Sequence, residues 1–198
     1  MDKTLTHLYD SYRDASAAVL ELEQIGIPRD DISIISRNSP HSEVAEDAAK
    51  GAGAGAIVGG VGGLLAGLGM LAIPGLGPVV AAGWLAATAV GAGGGAIVGG
   101  AVGGVIGAME KEGVSEDDAH VYAEGVRRGG SLVSVRVKDD LVAQAEDVLA
   151  AHGSVDPAQR RRHYRDSGWS RFDENAAPYS PQEIAEERAR YQRGDTVI

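Results

Sequence analysis

The chain has 198 residues, a formal net charge of −10 and no cysteine. The acidic balance argues against a nucleic-acid partner, because proteins that bind nucleic acid usually present a basic surface. The lack of cysteine excludes disulfides, thiolate metal sites and thiol catalysis. Acids near the N-terminus stand where a secretory signal needs an apolar core, so a cytoplasmic protein is expected.

Charged residues divide the chain into three parts. Residues 1 to 50 carry ten acids and five bases, residues 110 to 198 carry eighteen and thirteen, and residues 51 to 109 carry none. We therefore expect a first βαβ half, then an uncharged insert. A helix with a second βαβ half is expected over residues 110 to 156, and a C-terminal arm with a terminal helix over residues 157 to 198.

The first part predicts a strand, a helix and a second strand. Residues 5 to 9 are a short strand candidate, and Asp10 or Ser11 can cap the helix that follows. Gly26 ends this helix, and residues 31 to 36 have the apolar character of a buried strand. The buried face of the helix is predicted to carry Ala15, Ala18, Val19, Leu22 and Ile25.

The insert holds 21 glycines among its 59 residues, and many of them recur at every fourth position. Positions i and i+4 share a helix face, so each series is a strip that another backbone can approach closely. We expect two glycine-zipper helices, over residues 51 to 73 and 79 to 109, joined by a turn at residues 74 to 78. The helix-packing glycines are Gly51, Gly55, Gly59, Gly63 and Gly67 in the first series, and Gly91, Gly95, Gly99, Gly103 and Gly107 in the second.

Between the two series lies the apolar tip of this predicted hairpin, represented by Leu71, Ile73, Leu76 and Trp84. The two helices would be about 34 and 46 Å long, more than the ~30 Å hydrocarbon core of a bilayer. Tip-first membrane insertion is therefore one hypothesis. It is weakened because glycine and alanine add little to partitioning and because the flanking charges show almost no positive-inside bias. The alternative is a hairpin packed among copies in a homo-oligomer.

The third part repeats the plan of the first. Residues 132 to 138 alternate strictly, with three valines on one face and polar residues on the other. A helix beginning at Asp139 or Asp140 and closed by Gly153 follows, and an extended piece from Ser154 is a candidate last strand. Two matched βαβ units predict an α+β protein with a ferredoxin-like split βαβ domain, in which both helices cover one face of a four-stranded antiparallel sheet.

An additional helix is predicted ahead of this unit, over residues 115 to 128. Ser115 and Asp118 form a pair that resembles a capping box. Arg127 and Arg128 lie at the negative end of the helix dipole, so these charges need no catalytic explanation.

The arm is predicted to dock through aromatic side chains. Ser180 can cap a final helix over residues 181 to 193. Trp169, Phe172 and Tyr179 are the expected anchors, either on the domain itself or on a neighbouring subunit.

The arm also carries the basic cluster of the chain, Arg160, Arg161, Arg162 and Arg165. One interpretation is contact with anionic lipid headgroups, to which each cation would contribute on the order of 1 kcal/mol. The other is pairing with acids of this acidic chain. The sequence leaves both open.

Motifs for chemistry are weak in this sequence. A loose G-x-G-x-x-A begins at Gly51, but it follows a polar stretch instead of a strand and has no acid about 20 residues further on. The five histidines lack metal-ligand spacing. His120 and Glu124 stand four apart and are expected to be an exposed helix pair, and no carboxylate has an apolar context that would raise its pKa. We expect no catalytic residues, no metal and no cofactor.

Two stretches carry a family resemblance. They read LYDSYRDASAAVLELEQIGIPRDDISIIS and GVSEDDAHVYAEGVRRGGSLVSVRV, of which HVYAEGVRRGG is the most specific part. The chain resembles here the bacterial general stress proteins of the YflT-like type, over roughly residues 3 to 155. The resemblance implies a stress-induced, non-secreted protein whose small domain is often interrupted by a glycine-zipper hairpin, without established catalytic residues. Minimal members lack the hairpin and the arginine-rich tail.

These observations define the expected function. We expect a non-enzymatic, general-stress-associated protein whose glycine-zipper hairpin inserts in the membrane, drives homo-oligomerisation, or does both. Its partners would be other copies of itself and membrane lipid, with the soluble domain on the cytoplasmic side. The alternative is a membrane-anchored regulatory or ligand-binding module that uses the ferredoxin-like domain.

Overall fold

The computed structural model describes residues 2 to 37, 69 to 73, 76 to 85, 87 to 88 and 102 to 193. Within these residues, the strands are β1 (Asp2–Tyr9), β2 (Ile32–Ser36), β3 (Gly69–Ile73), β4 (Gly77–Ala82) and β5 (Ser131–Lys138). The α-helices are α1 (Tyr12–Gln24), α2 (Val102–Lys111), α3 (Glu116–Arg127), α4 (Val142–Ala151), α5 (Pro157–Asp166) and α6 (Pro181–Arg193).

The five strands form one sheet in the order β1-β5-β2-β4-β3, and every neighbouring pair is antiparallel. The predicted last strand is reduced to a single bridge, in which the Val155 N–H donates to the Leu8 carbonyl at 2.8 Å. Mixed helices and an antiparallel sheet agree with the predicted α+β class.

One face of the sheet is covered by α1 and α4, which also contact each other. Strand β5 turns Val133, Val135 and Val137 toward these helices, and each valine is 1% exposed or less. They share an apolar cluster with Leu22 of α1 and Leu149 of α4. The alternation predicted for β5 is therefore confirmed, because its apolar side faces a helix layer.

The opposite face of the sheet is covered by α2 and α3. Leu8 and Leu132 of the sheet share a cluster there with Met109 of α2, Val126 of α3 and Phe172 of the arm. The central strands are thus buried on both faces. This second helix layer explains why Ser134 is only 1% exposed although it lies on the polar side of the predicted strand.

Strands β3 and β4 correct the predicted helical hairpin. Residues 69 to 73 and 79 to 82 were expected in two helices, and residues 77 and 78 in the turn between them. Residues 69 to 73 and 77 to 82 instead form a β-hairpin whose second strand pairs with β2. The four-residue glycine period stops at Gly67 and resumes at Gly91, so a helix between them has no close-packing strip. The free edge of β2 offers these apolar residues a ladder of hydrogen bonds instead.

Gly83 shows how closely this hairpin joins the sheet. Its φ is +89°, and a Cβ at this position would overlap the carbonyl group of Ile32. Glycine alone fits this backbone and this approach. The predicted reversal is at the right place, because the antiparallel chain turns between Ile73 and Gly77.

Predicted helix starts agree with the structure where a capping side chain decides them. The Ser11 hydroxyl accepts from the Asp14 N–H at 3.1 Å, and Ser115 accepts from Asp118 at the same distance. Ser180 and Glu183 form a reciprocal capping box at α6. Helix α4 begins at Val142, whereas the sequence predicted a start at Asp139 or Asp140, because a turn occupies residues 139 to 141.

Most of the insert lies outside the described residues, and the glycines from Gly51 to Gly99 that define the series lie there too. Gly103 and Gly107 are the members of the second series that fall on a described helix, α2. Among the residues that the structure describes, we find no helix with the length and apolar character needed to cross a bilayer.

Candidate functional site

The glycines of α2 lie away from the core of the domain. Val105, Ile106 and Met109 of this helix are buried in the second apolar layer. A Cβ built at Gly107 would meet no atom of the described residues within 4 Å. Gly103 stands one turn earlier and shares this side of the helix. The glycine face of α2, defined by Gly103 and Gly107, is thus distinct from the face that the domain uses.

The residues of the predicted tip belong to the domain instead. Leu71 and Ile73 lie in β3, and Leu76 is 2% exposed within the second apolar layer. The Trp84 indole N–H donates to the Asp31 carbonyl at 3.2 Å. The pairing of this segment with β2 removes Leu76 and Trp84 from a free tip.

Trp84 is held from a second side as well. The guanidinium of Arg136 lies 3.9 Å from the centre of its ring, and Arg136 also donates to Glu112 at 2.7 Å. The hydrogen bond from Arg136 lowers the pKa of Glu112, with a smaller contribution from Thr4 and against a partial desolvation of the carboxylate. This chain of contacts fixes the indole against the sheet.

The basic cluster of the arm divides into two pairs. Arg160 is 8% exposed and binds Asp10 at 2.8 Å, and Arg161 binds Asp118 at 2.5 Å. Burial lowers the pKa of Arg160, but the hydrogen bond and charge of Asp10 offset this, so the pKa is raised overall. Arg162 and Arg165 are exposed on α5. Of the two interpretations, pairing with acids of the chain therefore applies to Arg160 and Arg161.

One carboxylate of α3 is buried under the arm. Glu124 is fully buried, and its Oε1 accepts from Arg127 Nη2 and from Arg128 Nε, each at 2.7 Å. The expected exposed pair of His120 and Glu124 is wrong, because both side chains are buried and each has other neighbours. The arm covers α3, and a helical pattern alone does not show which face a distant segment will cover.

His120 occupies an unusual position on the same helix. It is 8% exposed, and within the described residues neither ring nitrogen has a hydrogen-bond partner. The nearest carboxylate oxygen is that of Glu116, at 4.0 Å. Burial lowers the pKa of His120, and the charge of Arg171 adds to this effect.

The arm docks on α3 through ions and aromatic rings. Arg128 Nη1 donates to Glu187 of α6 at 2.5 Å, and the Arg128 guanidinium lies 4.3 Å from the centre of the Tyr164 ring. Ile184 of α6 lies so close to Gly129 that a Cβ there would overlap it. The arm thus supplies both a counter-charge and an apolar anchor to the end of α3.

Two of the aromatic anchors that the sequence predicts, Phe172 and Tyr179, contact the domain itself. Phe172 is 6% exposed within the second apolar layer, and the Tyr179 ring lies 5.2 Å from the Arg127 guanidinium. Trp169 packs edge-on against Tyr164 at 5.5 Å. Trp169 thus packs within the arm, whereas Phe172 and Tyr179 hold the arm on the domain.

The arm also contacts the residue that follows β2. Arg37 donates from Nη1 to the Arg127 carbonyl at 3.0 Å and from Nη2 to the Tyr179 carbonyl at 2.9 Å. Arg37 directly precedes the residues that lead into the insert. Arg37 therefore ties the end of β2 to both α3 and the arm.

A polar cleft of about 500 Å³ lies between α5, α6 and residues 153 to 156. Arg162, His163 and Arg190 line it together with Asp156 and Asp166, so opposite charges face each other across it. Among the described residues no three histidine or carboxylate side chains converge as metal ligands would. The lining of the cleft is polar, without an excess of either charge.

Comparison with known proteins gave no match. Neither a family model, nor a curated protein, nor a solved structure matches this chain. The resemblance to YflT-like general stress proteins therefore stays a prediction from the sequence.

Proposed function

We propose that this protein is a non-enzymatic assembly module, in which the glycine series of one copy pack against those of other copies. The observation that carries this proposal is the glycine face of α2. Helices that expose glycine at four-residue spacing allow a second helix to approach closely, and van der Waals contact and backbone proximity then favour association. Among the described residues, no atom lies within 4 Å of a Cβ built at Gly107, so this face has room for a second helix.

The connections of the insert fit this role better than a free hairpin does. The first series lies between β2 and β3, and the second begins after β4 and ends within α2. Each series is thus tied at both ends to elements of one domain. A scaffold that fixes both ends lowers the entropy that the segment loses when it packs against another copy.

A ferredoxin-like scaffold is part of the same proposal. Along the sheet, the bridge at Val155 is followed by β1, β5 and β2, which corresponds to the fourth, first, third and second strands of a split βαβ fold. Helices α1 and α4 lie on one face, as that arrangement requires. The β3–β4 hairpin then extends the sheet beyond β2, and α2 and α3 form an added layer.

Membrane lipid is the second candidate partner. The 59 uncharged residues favour an apolar environment, and Arg162 and Arg165 are exposed cations that suit anionic headgroups. In this version the glycine series contact lipid, because Leu76 and Trp84 are held in the domain. We place the folded domain on the cytoplasmic side and associate the protein with general stress, on the strength of the sequence resemblance. A regulatory or ligand-binding role would use the polar cleft instead.

Side-chain size on the glycine face tests the proposal. Gly107→Ala keeps the close approach, whereas Gly103→Leu combined with Gly107→Leu holds two helices apart. We expect the first variant to keep the particle mass of the full-length protein in sedimentation velocity, and the double variant to lower it.

Gln144→Leu is the matched control, because Gln144 is an exposed residue of α4 and the new leucine lies away from the glycine face. It should leave the mass unchanged. The same mass for the double leucine variant and the parent protein, with circular dichroism unchanged in both, would rule the proposed packing out.

A further inference from the structure

The outer edge of β1 has few partners in this structure. On one side β1 pairs with β5 along its full length, and on the other, within the described residues, it has the single bridge at Leu8. Backbone groups of successive residues alternate between the two sides of a strand. Because the Leu8 carbonyl faces outward to Val155, the backbone groups of Thr6 and Thr4 face outward as well.

A shallow groove of about 470 Å³ runs along this edge, between β1 and residues 154 to 157. The Tyr122 hydroxyl donates to the Thr6 carbonyl at 3.0 Å, which confirms the outward direction of that group. The Thr6 N–H and both backbone groups of Thr4 face the groove. Unpaired strand edges of this kind are templates for the addition of another strand.

We propose that this groove binds the β1 strand of a second copy of the chain, in an antiparallel pair with its two-fold axis at Leu5. In this register Thr4 faces Thr6 of the second copy, and the Thr6 N–H donates to the Thr4 carbonyl. The Thr4 N–H donates to the Thr6 carbonyl, which it shares with the Tyr122 hydroxyl because a carbonyl oxygen accepts two hydrogen bonds. The symmetry repeats the exchange, so four hydrogen bonds join the copies. The pair covers residues 3 to 7, because Val155 already occupies the edge at Leu8.

Charge complementarity selects a second copy as the occupant. Lys3 is exposed and lies on the same side of β1 as His7, whose Nε2 lies 3.0 Å from Glu146 Oε2. In the proposed register Lys3 lies directly opposite His7 of the second copy, with side chains about 5 Å apart at Cβ. The Lys3 ammonium therefore reaches Glu146 of the second copy, and the symmetry gives two such ion pairs.

The two ion pairs also explain a lysine on an open edge. Lysine at an edge normally discourages strand addition, because a partner strand would have to desolvate its charge. A strand with a carboxylate at the matching position removes this obstacle. The edge thus accepts its own copy and disfavours an arbitrary apolar strand.

The register can be tested by cross-linking, since the chain has no cysteine of its own. Lys3→Cys and His7→Cys are prepared as separate full-length variants and mixed in equal amounts under mild oxidation. We expect the mixture to form a disulfide-linked heterodimer at least about tenfold faster than either variant alone, because opposite residues of a non-hydrogen-bonded antiparallel pair lie closest. Lys3→Cys mixed with Gln144→Cys is the control for random collision.

A charge exchange tests the same interface without cysteine. Lys3→Glu and Glu146→Lys should each weaken dimerisation about tenfold at low salt, and the double variant should restore it. The measurement is sedimentation of the Gly103→Leu, Gly107→Leu protein, so that zipper packing does not contribute. No preference for the mixed cysteine pair, or a double charge variant no better than the single ones, would overturn this proposal and leave the glycine-face proposal untouched.

Discussion

Arg128 and Glu187 form a buried ion pair at 2.5 Å that joins helix α3 to the C-terminal helix α6. The side chain of Arg128 is 5% exposed and that of Glu187 is 3% exposed. Glu124 binds the same guanidinium from the other side, at 2.7 Å. The arm is therefore held by charges that water does not reach, and the removal of Glu187 leaves Arg128 with Glu124 as its remaining partner.

Glu187→Ala should consequently destabilise the protein by about 3 kcal/mol, because it leaves a buried arginine with half of its counter-charge. Urea unfolding followed by circular dichroism measures this loss. Arg190→Ala is the matched control, because this side chain binds the same carboxylate at 3.2 Å but is 48% exposed. A loss below 1 kcal/mol is expected there, and equal losses for the two variants would refute the buried role of Glu187.

Two glycine-to-alanine changes should have opposite signs. Gly107→Ala enters open space on a helix and should stabilise the domain by up to about 1 kcal/mol through helix propensity. Gly125→Ala should destabilise it by about 1–3 kcal/mol, because the new Cβ would overlap the side chain of Leu8. Thermal unfolding of both variants measures the difference. A gain in stability at Gly125 would contradict the close packing of α3 on β1.

His120 should make stability dependent on pH. Burial lowers its pKa in the folded state, with help from Arg171, so the unfolded chain takes up the proton first. The stability that the neutral His120 side chain contributes is fully present above the unfolded pKa of about 6.5. It is lost as the pH falls through the lowered pKa of the folded state. His120→Phe keeps the volume without the proton and should flatten the slope of unfolding free energy between pH 5 and 7. A slope that is the same in both proteins would contradict this assignment.

Leu76→Ser tests whether this residue belongs to a membrane tip or to the core. Because Leu76 is 2% exposed among apolar neighbours, we expect a loss of about 2–5 kcal/mol in unfolding free energy. Vesicle flotation of the same variant measures whether membrane binding depends on Leu76. Unchanged stability together with release from vesicles would return Leu76 to the tip and contradict its place beside β4.

The sequence is informative where the pattern is local. The alternation of valines in β5 and the caps at Ser11 and Ser115 predict elements that the structure contains, because neighbouring residues alone determine them. The position of the turn after Ile73 follows in the same way from proline and glycine.

The remaining parts depend on contacts between distant segments. A glycine-rich, apolar run can form either a helix or a strand, and pairing with the free edge of β2 selects the strand at Val80 and Ala81. Glu124 and His120 are polar residues of an amphipathic helix, and their burial depends on an arm some 60 residues further along the chain. Neither the edge nor the arm is visible in a local pattern.

The mass of the particle in solution shows whether the glycine series hold several copies together. Gly59 and Gly99 stand in the middle of the two glycine series, and leucine at both positions should keep any packed backbones apart. We expect sedimentation velocity to show a particle of several copies for the parent protein and a smaller one for Gly59→Leu combined with Gly99→Leu, with the same thermal unfolding of the α/β domain. A monomeric parent protein, or a variant with the mass of the parent, would contradict the account.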